Sequence, residues 1–213
     1  LRETLDESCE LVATDLSDEM LAVARRKLGV HMPVRFKQAD ALALPFDDEE
    51  FDVVCCQFGV MFFPDKEASY REALRVLKPG GRYVFSTWCS FDHNPFSRLA
   101  YETTSGFFKA DPPEFYRLPF TYHDIQGITA ALSNAGFRDV DVETVRKEKV
   151  VEDYDLFSRG LIYGNPIAGE IRDRGGVEPE EVRDSVAEAL RGEFGPEPST
   201  MPLQAIVFEA TRP

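Results

Sequence analysis

Cysteine and histidine are scarce in this chain, which has four cysteines and three histidines among 213 residues. The cysteines form no C-x-x-C pair, and no histidine stands at metal-ligand spacing from them. The sequence therefore lacks both a disulfide framework and a zinc-site pattern, and we expect no metal. Neighbouring strand residues point to opposite faces, which separates Cys55 from Cys56. We expect all four cysteines to be reduced and mostly buried, as suits a cytoplasmic protein.

Long hydrophobic runs and an excess of positive charge are also missing. The most apolar run covers residues 51–63 and includes Asp52 and Gln57, whereas a membrane-spanning helix needs about 20 apolar residues. Lysine and arginine number 24 against 38 aspartates and glutamates, so the formal net charge is −14. This balance argues against a nucleic acid or a membrane as the main partner. The 17 phenylalanines exclude a wholly disordered chain.

Strand and helix patterns alternate along the first 87 residues. Apolar runs typical of buried parallel strands lie at 11–14, 34–38, 51–56 and 82–87. Helical patterns lie at 17–28, 65–77, 96–109, 124–135, 154–170 and 178–191. The alternation predicts an α/β fold with a mainly parallel sheet flanked by helices. Two later strands, at 140–150 and 202–210, should include an antiparallel partner at one edge. We treat residues 1–213 as one domain, with a helical insertion after residue 88.

Polar groups follow three of the predicted strands. Asp15 ends the first strand, Asp40 and Ala41 follow the second, and Gln57-Phe58-Gly59 follows the third. Ligands of open parallel sheets bind beyond the carboxyl ends of the strands. One carboxylate there could accept hydrogen bonds from a ribose diol and the other from an adenine amine. A lone acid after a strand is more often a helix cap or turn former, but the three features together favour an adenosine site.

Four stretches then carry a resemblance to a known family: L-V-A-T-D-L-S-D-E-M-L-A-V-A, Q-A-D-A-L-A-L-P-F-D-D-E-E-F-D-V-V, Q-F-G-V-M-F-F-P-D and L-R-V-L-K-P-G-G-R-Y-V-F-S-T-W. Together they resemble the class I S-adenosylmethionine-dependent methyltransferases, and most closely the small-molecule group of ubiquinone and menaquinone biosynthesis. The resemblance is close over residues 11–88 and loose beyond them. It implies a Rossmann-like fold with a sheet of the seven-stranded type, S-adenosylmethionine as cofactor and a small-molecule acceptor, and it leaves a homodimer open.

The resemblance also implies roles for residues of this sequence. Asp15 would hold the ribose hydroxyls, while Leu16 and Met20 would line the adenine. Asp40 would accept the adenine amine, with the Ala41 amide on the ring. The methionine part of the cofactor would lie near Gln57 and Phe58.

One part of the family pattern is missing. The family has a glycine-rich loop after its first strand, whereas no glycine precedes Leu11 here. We therefore expect that the sequence represents a longer chain incompletely at its amino-terminal end, the alternative being a degenerate domain. A missing central strand should leave a gap between strands 11–14 and 51–56. Residues 1–213 expressed alone should fold poorly and bind no measurable S-adenosylmethionine.

Candidates for the acceptor side lie in two segments, 89–122 and 153–195, which we predict to be helical substrate-side insertions. Aromatic residues there could roof an apolar acceptor, and we single out Trp88, Phe96, Tyr101 and Tyr163, although aromatics at helical spacing often belong to a core. Methyl transfer needs a general base only if the acceptor loses a proton. The candidate base is His93, with an exposed loop histidine as the simpler interpretation. His31 lies in a turn remote from the strand ends.

The sequence predicts a methyltransferase but leaves two alternatives. A nicotinamide-dependent dehydrogenase also places an acid after its second strand. A non-catalytic methyltransferase-like binding domain would fit the missing glycine-rich loop.

Overall fold

Six strands and seven α-helices make up the fold in the computed structural model, which describes residues 5–6, 8–28 and 33–213. In chain order they are β1 (Leu11–Asp15), α1 (Asp18–Leu28), β2 (Val34–Gln38), β3 (Phe51–Gln57), α2 (Lys66–Val76), β4 (Leu77–Trp88), α3 (Pro95–Gly106), α4 (Ile125–Ala135), β5 (Arg138–Val151), α5 (Tyr154–Tyr163), α6 (Ile167–Arg174), α7 (Pro179–Phe194) and β6 (Ser199–Thr211). The predicted turn at His31 lies outside the described residues.

The strands form two hydrogen-bonded sheets. One contains β1 and β2 in parallel, and the other has the order β3-β4-β6-β5. In the larger sheet β3 and β4 are parallel, while β6 is antiparallel to both of its neighbours. The expected α/β fold with parallel βαβ units is therefore confirmed. The antiparallel strand β6, however, lies one position inside the edge, which is formed by β5.

β1 and β3 are not hydrogen-bonded to each other anywhere in the described part of the chain, so the expected gap between these two strands is present. The open edge explains why the prediction that the cysteines are mostly buried is wrong for Cys55. Cys89 is buried and Cys56 is half-buried, but Cys55 and Cys9 are exposed. Cys55 lies on β3 beside Val53, which is 44% exposed, because neither this edge nor this face of the sheet is covered by a described element.

The other face of the larger sheet packs on helices α2 and α4. Its core is aromatic, with Tyr83, Phe85 and Phe208 buried against Tyr70 and Leu132. A second core lies among helices α3, α5, α6 and α7. Helices α5, α6 and α7 occupy most of segment 153–195, whereas α3 is the one α-helix in segment 89–122, which consists mainly of turns and irregular structure after residue 106. Residues 154–170 were predicted as one helix but form two.

The break between α5 and α6 falls at Gly164, Asn165 and Pro166. Proline lacks the amide hydrogen and clashes with the preceding helical turn, so it begins α6 rather than continuing α5. Among the residues with a described structure, no helix combines the length and the hydropathy needed to span a bilayer.

Candidate functional site

The turn from β1 into α1 is built around Asp15 and Ser17. Asp15 Oδ1 accepts a hydrogen bond from the Ser17 amide at 2.8 Å, and the Ser17 hydroxyl accepts one from the Met20 amide at 3.3 Å. Ser17 therefore caps α1. The second oxygen of Asp15 has no hydrogen-bond partner among the residues that the structure describes, and the side chain is exposed.

Asp40 repeats this arrangement after β2. Its Oδ1 accepts a hydrogen bond from the Leu42 amide at 2.9 Å, and its second oxygen is likewise unpaired within the described ranges. The Ala39 amide donates to the Asp15 carbonyl at 3.0 Å, which holds the two strand ends side by side. Each carboxylate is thus oriented by one oxygen and presents the other to solvent.

Exposed apolar side chains flank this pair of carboxylates. Leu16 is 67% exposed and Met20 is 58% exposed. The Leu16 carbonyl accepts a hydrogen bond from Gln38 Nε2 at 2.8 Å, which fixes the backbone of this turn. Two exposed apolar side chains beside two acceptor oxygens are the chemistry that a flat ring bearing amine and hydroxyl donors requires.

The loop that follows Asp40 is held by helix α2. Glu72 Oε2 accepts a hydrogen bond from the Leu44 amide at 2.7 Å, and Arg75 donates to the carbonyls of Leu44 and Phe46, each at 2.9 Å. Arg75 also donates to Glu72, and this hydrogen bond holds the pKa of the Glu72 carboxyl below its ordinary value. This pair was not predicted from the sequence, in which only the i, i+3 spacing on a helix indicates it.

Gln57 is exposed at the end of β3 and is paired with Ser86 of β4. Phe58 follows in the left-handed region, with φ 53°. Its ring stacks on the indole of Trp88 with 4.3 Å between centroids and 15° between planes. Neither the conformation of Phe58 nor the contribution of Ser86 was predicted from the sequence.

The structure brings three of the four predicted acceptor-side residues together. The Trp88 ring meets the Phe96 ring edge-on at 6.4 Å, and Phe120 lies against both of them. Tyr101 joins the same cluster through Phe91.

Tyr163 is not part of this cluster. Its hydroxyl donates to Glu180 at 2.8 Å, and this hydrogen bond raises the pKa of the Tyr163 phenol. The guanidinium groups of Arg159 and Arg172 lie over its ring. The side chain is 37% exposed, which is the environment of a surface aromatic residue.

His93 ends a short 3-10 turn, Phe91–His93, after β4. Its ring is exposed, and Nδ1 lies 3.1 Å from the Ser90 hydroxyl. This hydrogen bond orients the imidazole while leaving the other ring nitrogen at the surface.

Residues 1–85 match the family described as methyltransferase domain. The ubiquinone/menaquinone biosynthesis C-methyltransferase UbiE of Idiomarina loihiensis is 51% identical over 78 residues, which cover 35% of this chain and 31% of that protein. UbiE of Shewanella sp. strain ANA-3 is 34% identical over 151 residues, covering 63% of this chain and 59% of that protein. The matched part spans only 31% to 38% of the length of the first three curated relatives.

Solved structures share the fold over nearly the whole chain. A Bacillus halodurans protein described as a methyltransferase has a TM-score of 0.61 and 21% identity, covering 96% of this chain and 84% of that one. Phosphoethanolamine N-methyltransferase 2 of Haemonchus contortus, solved with S-adenosyl-L-methionine, has a TM-score of 0.55 and 16% identity over 96% of this chain and 43% of that one. The cyclase SpnF has a TM-score of 0.54 and 17% identity, with 98% and 68% covered.

At these identities the structural likeness shows the fold alone, and that fold is Rossmann-like with a mixed sheet flanked by helices. The sequence match covers β1 to β3 and most of β4. Over residues 1–85 the chain is similar to the methyltransferase domain family, and its fold is similar to that of solved methyltransferases.

Proposed function

We propose that this protein transfers a methyl group from S-adenosylmethionine to a small-molecule acceptor at the carboxyl ends of β1 to β4. The observation that carries the proposal is the matched geometry of Asp15 and Asp40. Each carboxylate makes one hydrogen bond to the amide two residues ahead and presents its second oxygen at neighbouring strand ends. Both residues lie within the part of the chain that matches the methyltransferase domain.

The residues present fit the adenosine half of the cofactor. Asp15 would accept hydrogen bonds from the ribose hydroxyls, and Asp40 would accept one from the adenine amine. The exposed side chains of Leu16 and Met20 would cover the adenine, with the Ala41 amide on its edge. Carboxylates as acceptors for a diol and an amine, together with apolar cover for a ring, match the donor pattern of adenosine.

The remaining contacts would come from the ends of β3 and β4. The methionine part would lie near Gln57 and Phe58, and the acceptor against the aromatic cluster that contains Trp88, Phe96 and Tyr101. Bound S-adenosylmethionine supplies a methyl group on an activated sulfonium leaving group, so the protein's task is to align and desolvate the reactants. Tyr163 lies outside this cluster with its hydroxyl on Glu180, and we assign it no contact with the acceptor.

A general base is needed only for an acceptor that loses a proton during attack. We propose His93 for that role in such a case. Its position after β4 and its exposed ring nitrogen support the proposal. Replacing His93 by Gln should then lower the rate for an acceptor with a dissociable proton and leave the rate for an acceptor without one unchanged.

Several coarser expectations accompany the proposal. The net charge of −14 supports a small molecule rather than a nucleic acid as substrate, and the reduced cysteines support a cytoplasmic location. Light scattering on the purified protein distinguishes a homodimer from a monomer. The names of the relatives make demethylmenaquinone the first acceptor to assay.

A non-catalytic binding domain is the second candidate, and the open edge between β1 and β3 favours it. The fold alone does not distinguish a methyltransferase from a protein with another function, because the cyclase SpnF has a similar fold. Calorimetric titration of the protein expressed from its complete reading frame, with S-adenosylmethionine and separately with NADH, tests the proposal. Binding of S-adenosylmethionine followed by transfer of a labelled methyl group supports it. Binding of NADH alone indicates a dehydrogenase, and binding without transfer to any acceptor indicates a binding domain.

A further inference from the structure

Phe58 occupies a backbone conformation that its side chain disfavours. Its φ of 53° lies in the left-handed region, where a β-carbon approaches the following carbonyl oxygen. Residues other than glycine persist there only when surrounding contacts hold them, and such positions cluster at functional sites. The contacts that hold Phe58 in this conformation therefore indicate its role in the structure.

Ser86 supplies two of these contacts. The Phe58 amide donates to both the carbonyl oxygen and the hydroxyl oxygen of Ser86, each at 3.2 Å. Ser86 lies on β4 opposite Gln57 and is 9% exposed. Any residue at this position of β4 would offer its backbone carbonyl as an acceptor. Only serine or threonine would also offer a side-chain hydroxyl of this kind.

The segment that follows Phe58 is held as well. A β-carbon added at Gly59 would stand 2.7 Å from Cys56 Sγ, so the chain turns back closely onto β3. Two residues further on, the buried Met61 sulfur accepts a hydrogen bond from the Trp88 amide at 3.3 Å. The turn between β3 and α2 is thus tied to β4 at Ser86 and again at Trp88.

The result of these contacts is the ring stack of Phe58 on Trp88. It has the shortest centroid separation, 4.3 Å, of the aromatic pairs in the described ranges. From Trp88 the aromatic cluster continues through Phe120 and Phe91 to Tyr101, at separations of 5.8, 5.4 and 5.6 Å. A change at Phe58 would therefore alter the end of this cluster that lies at the strand ends.

We propose that Ser86 is a positioning residue: its hydroxyl holds Phe58 in the left-handed conformation and so sets the Phe58–Trp88 stack as the wall of the ligand site. The identity of the ligand in this proposal rests on the proposed function. The effect of Ser86 on the stack does not depend on that function. Trp88 is the single tryptophan of the sequence, so its fluorescence reports this stack, and its near-ultraviolet circular dichroism band reports the stack alongside the signals of tyrosine and phenylalanine.

The test uses four single variants of the protein and the double variant that combines Ser86→Ala with Phe58→Gly. Ser86→Ala removes the hydroxyl acceptor, Ser86→Thr keeps it, and Phe58→Gly relieves the strain but removes the ring. Thr87→Val is the matched control, because it removes the neighbouring buried hydroxyl, which has no partner in the described part of the chain. The measurements are the Trp88 emission spectrum, acrylamide quenching, near-ultraviolet circular dichroism and the dissociation constant of S-adenosylhomocysteine.

We expect Ser86→Ala to lower the ratio of stacked to unstacked Phe58 roughly fivefold, the effect of losing one hydrogen bond. Trp88 emission should shift to the red, quenching should rise and the circular dichroism band should weaken. Ser86→Thr should restore all three, Thr87→Val should leave them unchanged, and Ser86→Ala should change nothing further in the Phe58→Gly background.

An unchanged Trp88 spectrum in Ser86→Ala would overturn the proposal. So would an equal effect of Ser86→Ala with and without the Phe58 ring. If the spectra behave as expected but S-adenosylhomocysteine binds to no variant and not to the unmodified protein, the positioning role stands and the proposed function fails.

Discussion

The amide of Ala39 donates to the carbonyl of Asp15 at 3.0 Å, one residue past the last paired position of β1 and β2. This hydrogen bond places Asp40 directly beyond the end of the strand pair that Asp15 terminates. Both carboxylates then turn back on their own chain in the same way, and the second oxygen of each has no hydrogen-bond partner among the described residues. The proposed adenosine site therefore depends on the pairing of two strands and on two short turns, all within residues 11–42.

Glu72 should stabilise the loop after Asp40 in a pH-dependent manner. Its carboxylate accepts hydrogen bonds from Arg75 and from the Leu44 amide, and its folded-state pKa is lowered chiefly by Arg75. A lowered pKa gives stability that is present above the unfolded-state value, about 4.3, and is lost as the pH falls through the folded-state value. Glu72→Gln should cost about 1–3 kcal/mol of unfolding free energy at pH 7.

Urea unfolding of the parent and of Glu72→Gln, measured between pH 7 and pH 3, checks this prediction. The difference between the two proteins should shrink on acidification below about pH 4.3. A difference that is independent of pH would show that the Glu72 charge has no part in holding the loop.

Thr87 should be a site where an apolar residue is tolerated or preferred. Its side chain is fully buried, and its hydroxyl has no hydrogen-bond partner among the described residues. Thr87→Val keeps the shape and removes the unpaired group, so unfolding free energy should stay the same or rise by about 1 kcal/mol. Ser97→Ala is the contrast, because the buried Ser97 hydroxyl donates to the Asn94 carbonyl at 2.7 Å, and its loss should destabilise the protein. Thermal unfolding that ranks the two variants in the opposite order contradicts this account.

Cys55 reports on the open edge of β3. In residues 1–213 the side chain is exposed while Cys89 is buried, so Cys55 should be alkylated by iodoacetamide well before Cys89. Partial burial raises the pKa of the Cys55 thiol, so its rate at neutral pH should lie below that of an ordinary exposed thiol. If a further strand pairs with β3 in the protein from the complete reading frame, Cys55 should become protected there. Mass spectrometry of the alkylated peptides measures the rate in each protein. Equal rates in both proteins would argue against such a strand.

Residues 1–213 expressed alone should be unstable and should not bind S-adenosylmethionine measurably. No residue of β1 or β3 is fully buried, and Val53 is 44% exposed, so these strands add little hydrophobic burial to a domain whose whole stability is about 5–15 kcal/mol. Circular dichroism melting and calorimetric titration check both parts of this prediction. Cooperative melting with micromolar binding would contradict it.

Local chemistry made much of the fold predictable from the sequence. The helix that begins after Ser17 follows from a capping serine and acids in the first turn, and α4 ends at Gly136, which adopts a positive φ of 111°. The carboxylates at Asp15 and Asp40 were expected because strand ends can be read from apolar periodicity. The gap between β1 and β3 was expected because the family pattern has one more strand, before Leu11, than this sequence shows.

Contacts between distant parts of the chain were not predictable in this way. The conformation of Phe58 depends on a serine 28 residues away, and the loop after Asp40 depends on Glu72, also 28 residues from Leu44. The single helix expected over residues 154–170 is two helices because Pro166 begins a new one, a boundary that apolar periodicity alone does not indicate. Tyr163 was grouped with the acceptor side from its place in the chain, while its hydrogen bond to Glu180 holds it elsewhere.

The most direct test of the account is a calorimetric titration of S-adenosylmethionine into the protein from the complete reading frame and into its Asp15→Ala variant. Losing hydrogen bonds to a charged group should cost about 1.5–3 kcal/mol, which is a roughly 10- to 150-fold higher dissociation constant. Glu19→Gln is the matched control, since Glu19 is an exposed acid in the first turn of α1 and faces no proposed contact. A folded Asp15→Ala protein with an unchanged dissociation constant would remove Asp15 from the site and contradict the proposed cofactor position.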